Sequence, residues 1–238
     1  MNINEFSNQF DTLINAYSIA PKFGNVDKLA FDEYEKSVFL TNAQEEIIID
    51  IYSGKNIFGD NFEKTEEVRR YLSELIETYE TDSKVSGYKG ISKNSIFYKI
   101  PEDVWFITYE SATLQDYKLG CFNGEEALIV PVTQDDFYKV KDNPFKGPSK
   151  RRALRLDIKG NIVELVSDYN ISRYLVRYIA RPKPIILTDL NDLSINGISA
   201  ETECELNPVI HKDILERAVQ LALVSKTQLA GNKQNNNN

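Results

Sequence analysis

The chain has 238 residues, of which 42% are hydrophobic and 27% charged, and its formal net charge at pH 7 is −8. A chain of this length can bury roughly 70–75% of the surface that it exposes when unfolded, so it needs neither disulfides nor a metal to fold. No apolar run approaches the roughly 18 residues that cross a bilayer, and no basic segment precedes an apolar one at the start, so we expect neither a membrane span nor a signal peptide.

Helical patterns dominate the first part of the chain. Apolar residues recur at helical spacing over 4–18, and Pro21 and Gly24 are expected to end that helix. A short β-prone run follows at 37–41. These patterns predict an amphipathic helix, a break, and a short strand before the next helical segment.

Two further helices are predicted before residue 84. The first begins at an N-cap residue, either Thr41 or Asn42, and stops at Gly54, since glycine suits the backbone conformation that ends a helix. The second spans 64–80, where apolar side chains share one face and the Glu and Arg side chains share the other. It has the clearest amphipathic helix pattern in the sequence.

Strand-forming sequence begins after about residue 84. Its segments are rich in β-branched and aromatic residues, and a Gly160–Asn161 turn separates two of them. A short helix that runs into a Pro/Gly loop is predicted at 134–149. The strand candidates are 94–100, 103–114, 124–133, 151–158, 161–169 and 172–190, the last being either a strand or a strand with a bend at Pro182 and Pro184.

A hairpin and a helix are predicted near the C-terminus. The Asn-Gly pair at 196–197 is a hairpin turn signal. Asn207 is expected to cap a helix that has Pro208 in its first turn and runs to about Lys226. The polar, low-complexity tail at 227–238 is expected to be disordered when it is alone in water.

The order of these elements, helices first, then strands, then a helix, indicates an α+β fold rather than alternating βαβ units. The N-terminal helices and the C-terminal helix are expected to pack together, with a mostly antiparallel β-rich region between them. The expected parts are a helical part at 1–83, a β-rich part at 84–206, a C-terminal helix at 207–226 that packs on the N-terminal helices, and the polar tail at 227–238.

Charge is unevenly distributed along the chain. Residues 141–183 contain 11 Lys or Arg and 4 Asp or Glu, a net +7, whereas the rest of the chain carries a net −15. A basic face on an acidic body suits contact with nucleic acid or with an acidic protein surface, including the chain's own. A local fluctuation of charge on a solvated surface is the simpler alternative.

Residues for catalysis are scarce in this sequence. The single histidine, His211, lies at the edge of the apolar face of the C-terminal helix, which favours packing or surface exposure over a role as catalytic base. Cys121 and Cys204 are far apart, so they make no zinc-binding spacing and favour a reducing compartment. We therefore expect no catalytic residues, no cofactor, no metal site and synthesis in a cytoplasm.

One metal-binding spacing does occur. A calcium loop is matched by Asp192, Ser194, Asn196, Gly197 and Glu203. The prolines and β-rich sequence before this segment preclude the incoming helix of a calcium-binding loop. The hairpin turn explains the glycine better, so calcium is not expected there.

Two neighbouring segments carry a family resemblance. "YLVRYIARPKPIILTDL" and, after a turn, "CELNPVIHKDILERAVQLAL" resemble the closing half of neck or connector ring proteins of tailed bacteriophages, nearest to the ring proteins of crAss-like phages. The pattern is one of packing: an Arg-Pro strand, a hairpin and a helix that returns to the N-terminal helices. The matching residues are Tyr178, Arg181, Pro182, Leu206, Pro208, His211, Ile214, Ala218 and Val219.

The resemblance implies a non-enzymatic virion structural protein. Such a protein forms a head-to-tail connector ring, commonly a dodecamer, between portal and tail, and packaged DNA passes through its bore without sequence-specific contacts. The implied partners are other copies of the chain, the portal protein and neighbouring tail or ring proteins, with no membrane. The implied location is the head–tail junction of the virion, after synthesis in the host cytoplasm.

A short basic run beside a Pro/Gly loop, at 148–155, is the candidate subunit interface. It lacks the interleaved aromatic residues that single-strand binding uses, and the chain as a whole is acidic. We therefore expect it to contact an acidic surface of the adjacent subunit or of the portal rather than DNA. The candidate interface residues are Lys150, Arg151, Arg152 and Arg155. For the function of the whole chain, the alternatives to a structural ring protein are a nucleic-acid-binding module and a metal-dependent enzyme.

Overall fold

The structure is a computed structural model that describes residues 1–18, 30–55 and 66–235, with the backbone alone at 68 and 227–235. Pro21 and Gly24 lie outside these ranges. The chain forms two compact units, Met1–Leu75 together with Pro182–Asn238, and Ile76–Arg181. We call them the helical unit and the sheet unit. None of the described helices is long and apolar enough to cross a membrane.

The helical unit is held together by three long helices. In the described ranges the α-helices are α1 (Ile3–Ser18), α2 (Glu33–Ser53), α3 (Glu66–Tyr71), α4 (Gln134–Val140) and α5 (His211–Asn235). All of them lie in the helical unit except α4, which lies in the sheet unit. Of these, α1, α2 and α5 pack against one another and bury apolar side chains such as Phe6, Leu40 and Val219. The predicted packing of the C-terminal helix with the N-terminal helices is confirmed.

Helix α2 begins upstream of its predicted start. The Asp32 carboxylate accepts a hydrogen bond from the Glu35 backbone N–H at 2.7 Å, and the Glu35 carboxylate accepts one from the Asp32 N–H at 3.3 Å. This capping box starts the helix before the β-prone run, so 37–41 is helical and the strand predicted there is wrong, as is the cap at 41–42. The predicted stop is confirmed, because Gly54 has a φ of 76°.

The sheet unit contains a curled sheet of eight strands. The strands are β1 (Ile76–Thr81), β2 (Lys84–Val85), β3 (Ser95–Lys99), β4 (Val104–Leu114), β5 (Glu126–Pro131), β6 (Arg152–Ile158), β7 (Ile162–Val166) and β8 (Ile171–Ala180). Their order is β1-β8-β4-β5-β6-β7-β3-β2. All neighbours are antiparallel except β5 and β6. The α+β fold with a mostly antiparallel sheet is therefore confirmed.

The helix predicted at 64–80 is wrong over its second half. Helix α3 ends at Tyr71, a single 3₁₀ turn follows at Ser73–Leu75, and the chain then enters β1. All six residues of β1 pair with β8, from Ile76 opposite Ile179 onward. Residues 76–81 form a strand because complete hydrogen-bonded pairing with a neighbouring strand stabilises them more than the helical spacing of a few apolar residues would.

The two edge strands of the sheet are neighbours along the chain. Strands β1 and β2 stand at opposite ends of the strand order, yet only Asp82 and Ser83 separate them. Because three extended residue steps span about 11 Å at most, the sheet has to curl until its edges approach each other. Its concave side encloses a core that includes Tyr98, Leu165 and Tyr174.

A second, smaller apolar cluster lies on the outer face of the sheet. There Phe137 of α4 packs on Leu154 and Val166, and partly buried valines surround them. The Thr133 hydroxyl caps α4 by accepting a hydrogen bond from the Asp136 N–H at 3.3 Å. Helix α4 is therefore fixed on the convex side of the sheet, next to β5 and β6.

The C-terminal helix starts as predicted and ends later. The Asn207 side chain accepts from the Val209 N–H at 3.1 Å and opens a 3₁₀ turn, Pro208–Ile210, that leads into α5. The predicted end near Lys226 is too early, because α5 continues to Asn235. The last three residues of the predicted tail lie outside the described part of the chain.

Candidate interaction surface

Lys150 and Arg151 occupy the tip of a tight turn in the sheet unit. Ser149 and Arg152 close this turn by exchanging backbone hydrogen bonds of 2.8 and 3.3 Å. Both side chains at the tip are exposed. The chain therefore presents two adjacent positive charges on a short, hydrogen-bonded projection, as expected of a binding loop held by a rigid scaffold.

An aromatic ring supports these two cations. The Lys150 Nζ lies 5.5 Å and the Arg151 Cζ 5.1 Å from the centre of the Phe122 ring. Contacts of this kind attract a cation to the negative face of the ring and limit the orientations of its side chain. Sequence reasoning missed Phe122, because it is distant along the chain and no local pattern connects it with the basic run.

The other two candidate residues are directed elsewhere. Arg152 is half-buried, and its Nη1 donates a hydrogen bond to the Phe145 carbonyl oxygen. Arg155 is buried, and its Nη1 lies 2.6 Å from Glu110 Oε2. The structure thus brings Lys150, Arg151 and Arg152 together at the surface. It leaves Arg155 inside the sheet unit, where its side chain cannot contact another protein.

Arg155 belongs to a polar network within the sheet core. Its partner Glu110 also accepts a hydrogen bond from the Tyr174 hydroxyl. Burial raises the pKa of the Glu110 carboxyl, and the nearby Arg155 guanidinium opposes that shift. At the open side of the network, Asp157 Oδ1 lies 3.2 Å from Arg155 Nε. Ion pairs and the Tyr174 hydrogen bond link the four side chains, although Arg155 Nε itself makes no hydrogen bond, and we interpret the network as structural.

His211 has a packing position in the helical unit. It is 4% exposed, and its ring lies 5.4 Å from that of Phe6. Its Nε2 is 2.8 Å from the Leu206 carbonyl oxygen, and its Nδ1 is 2.7 Å from the Met1 ammonium. A carbonyl only accepts and an ammonium only donates, so Nε2 carries the proton of a neutral imidazole. Neither nitrogen is available as a catalytic base.

Removing the imidazole is expected to change how stability depends on pH. Burial lowers the pKa of His211, so below about pH 6.5 the unfolded chain binds a proton that the folded chain resists. This contribution to stability is intact above pH 6.5 and is lost as the pH falls. We expect His211→Ala to lower the free energy of unfolding by about 1–3 kcal/mol at pH 7.5, since the Leu206 carbonyl loses its donor.

Urea unfolding of the wild type and of His211→Ala at pH 7.5 and 5.5 measures this difference. The loss in stability between the two pH values should be smaller in the variant. Equal losses would contradict the neutral, buried imidazole. The other titrating groups are common to both proteins and cancel in the comparison.

Metal ligands do not converge in the part of the chain that the structure describes. Among the described residues, no three His, Cys, Asp or Glu side chains lie close enough together to hold a metal ion. The calcium-like spacing falls on a hairpin, where Asn196 and Gly197 have φ angles of 52° and 81° and Ile195 pairs with Ile198. The predicted Asn-Gly turn is therefore confirmed.

Comparison with known proteins places the chain in a family. The model of a crAss-type family described as "Phage tail ring protein 3/4" matches residues 1–234. Ring protein 3 of Bacteroides phage crAss001 is 62% identical over 236 residues, which cover 98% of this chain and all of the relative. Ring protein 4/5 of the same phage is 37% identical, covering 93% of this chain and 92% of the relative. The chain therefore belongs to the phage tail ring protein 3/4 family of crAss-like phages.

Proposed function

We propose that this chain is a non-enzymatic subunit that joins copies of itself head to tail into a dodecameric ring between portal and tail. Packaged DNA passes through the bore, and the portal and other tail or ring proteins contact the ring. The ring names of two relatives support the assembly. A head-to-tail ring joins two different surfaces of each subunit, which suits a chain that separates basic from acidic residues.

The single observation that carries the interface is the turn at Lys150 and Arg151. Its two cations are exposed, adjacent and oriented by Phe122, whereas Arg155 is engaged inside the sheet unit. Exposed ion pairs contribute only about 0–1 kcal/mol each, but a ring repeats the same contact at every subunit boundary. We infer that this turn contacts an acidic surface of the adjacent subunit or of the portal.

The test replaces the two cations and leaves the core network intact. Lys150→Glu with Arg151→Glu should leave the subunit folded by circular dichroism and should abolish its incorporation into portal-bearing particles. The matched control is Lys89→Glu with Lys159→Glu, since both of these lysines are exposed in the same unit. Incorporation of the control should equal that of the wild type, and wild-type assembly should weaken with salt because exposed charges are screened.

DNA contact is the second candidate for this turn. The Phe122 ring beneath the cations supplies an aromatic side chain next to positive charge, which binding to single strands also uses. Salt-dependent DNA binding by the wild-type subunit that the double variant lacks, together with normal incorporation of that variant, would contradict the protein contact and favour DNA.

A further inference from the structure

A groove on the outer face of the sheet unit combines an apolar floor with a basic rim. It lies between β5, α4 and the loop after α4, and its volume is about 680 Å³. We call it the basic groove; Leu128, Val130 and Phe145 supply apolar surface, and Lys139, Lys146 and Arg152 supply the positive charge. The acidic residue on its lining, Asp136, is paired with Lys139 at 2.8 Å. The lining is therefore net positive.

The groove exposes two apolar side chains beside these cations. Phe145 is 84% exposed and Leu128 is 51% exposed. Apolar surface in contact with water is unfavourable, so these two side chains offer surface that a partner with an apolar side chain can remove from water. A phenyl ring at the edge of a groove is a typical anchor for a protein partner.

The loop that carries Phe145 is held in one conformation. The Asn143 side chain accepts from the Phe145 N–H at 2.9 Å and from the Lys146 N–H at 3.2 Å. Gly147 packs so closely that a Cβ there would lie 2.7 Å from the Lys141 carbonyl oxygen. Because the loop is already ordered, docking against Phe145 costs little conformational entropy.

The helical unit carries a segment with the complementary chemistry. Residues 188–203, which we call the acidic hairpin, contain four Asp or Glu and no Lys or Arg. Its exposed acids are Asp189, Asp192, Glu201 and Glu203. Between them Leu193 is 52% exposed, in a turn closed by its own N–H on the Leu190 carbonyl oxygen at 3.0 Å.

The acidic hairpin is also ordered. Ile195 and Ile198 exchange backbone hydrogen bonds of 2.9 and 3.0 Å, and Ile186 and Thr202 exchange two of 3.1 Å. Beneath it, Ile186 and Ile195 belong to a buried cluster against Tyr34 and Val38 of α2. The hairpin thus presents Leu193 and its flanking carboxylates from a fixed base.

We propose that the acidic hairpin of one copy docks into the basic groove of the next copy. Leu193 contacts the exposed apolar surface of Leu128 and Phe145, and Asp192 and Glu203 face the cations of the groove rim. Because the two surfaces differ, the contact repeats head to tail, as a ring requires. The docking rests on the proposed ring and adds a second contact that does not involve the Lys150–Arg151 turn. Opposite charges fix the register of such a contact.

Charge reversal with rescue tests the docking in the full chain. The groove variant is Lys139→Glu with Lys146→Glu, and the hairpin variant is Asp192→Lys with Glu203→Lys. Each should raise the concentration needed for ring assembly about tenfold or more, since like charges then oppose each other across every boundary. Combining all four substitutions should restore assembly. Lys89→Glu with Lys159→Glu again serves as the matched control.

Cross-linking gives a direct measurement. In a chain with Cys121→Ser, which removes the exposed native thiol, Pro144→Cys together with Ser194→Cys, at exposed positions beside Phe145 and Leu193, should give a ladder of disulfide-linked oligomers under oxidation. Either new cysteine alone should leave the chain monomeric on a denaturing gel. Half-buried Cys204 stays in place in all of these proteins.

The outcomes separate the docking from the ring proposal. Wild-type rings with both charge variants assembling normally and no cross-linked ladder would overturn the docking and leave the ring intact. Loss of assembly in both variants without rescue by the combination would also overturn it. A wild-type chain that stays monomeric, both alone and on portal-bearing particles, would contradict the ring proposal and the docking with it.

Discussion

Replacing Val219 with Asp is expected to prevent folding of the helical unit. Val219 lies on the buried face of α5 and has no exposed surface. An unpaired carboxylate placed there costs several kcal/mol, and a whole domain is stable by only about 5–15 kcal/mol. The variant should be insoluble or lack a cooperative thermal transition by circular dichroism, and Leu215→Asp, at a neighbouring buried position, should behave alike.

The matched control is a carboxylate on the same helix at an exposed position. Val224 is 50% exposed, so Val224→Asp should unfold cooperatively, with a midpoint close to that of the wild type. A Val219→Asp protein that is soluble and unfolds as cooperatively as the control would contradict the packing of α5 on α1 and α2.

Replacing Arg155 with Met is expected to destabilise the sheet unit by about 3–5 kcal/mol, the typical effect of breaking a buried ion pair. The substitution keeps most of the side-chain volume and leaves the Glu110 carboxylate buried without its cation. Urea unfolding at pH 7.5 measures the loss. Arg151→Met is the matched control, because Arg151 is exposed, and it should change the free energy of unfolding little.

A second substitution and a change of pH test the cause of that loss. Glu110→Gln with Arg155→Met removes both charges and keeps an acceptor for the Tyr174 hydroxyl, so it should recover part of the lost stability. Burial raises the pKa of Glu110 in the folded state, and losing Arg155 strengthens this shift. Because a raised carboxyl pKa favours the folded state at low pH, Arg155→Met should lose less stability at pH 5.5 than at pH 7.5.

An unchanged stability of Arg155→Met would contradict a structural role of the Arg155–Glu110 ion pair. If Arg155→Met were as stable as the wild type at both pH values, the ion pair would not hold the sheet core. Replacing Lys150, Arg151, Arg152 and Arg155 together with Glu would then be a fair test of the interface. With the network as the structure shows it, replacing Arg155 would confound a loss of assembly with a loss of folding.

Local sequence patterns predicted the elements whose signals lie within a few residues. The Asn207–Pro208 start of the last helix, the stop at Gly54 and the Asn196–Gly197 turn each depend on backbone conformations that one or two residues favour. The family resemblance, which rests on packing residues of the C-terminal third, is confirmed by the family match over residues 1–234.

The wrong assignments arose where distant partners decide the conformation. Residues 76–80 fall within the predicted helix, but β8 lies about a hundred residues away and pairs with all of them. Residues 37–41 look β-prone in isolation, yet the capping box at Asp32 places them inside a helix. A short pattern cannot report either effect, because pairing and burial depend on chain segments outside it.

The candidate surface divides in the same way. The sequence alone showed the basic run, the net negative charge of the rest of the chain and the scarcity of residues suited to catalysis. Only the tertiary structure placed Phe122 beneath Lys150 and Arg151 and buried Arg155 against Glu110. Charge is a property of the sequence, whereas exposure is a property of the fold. Arg151 lies in the turn before β6, and Arg152 and Arg155, three positions apart in that strand, face opposite sides of the sheet, so the three arginines reach different surroundings.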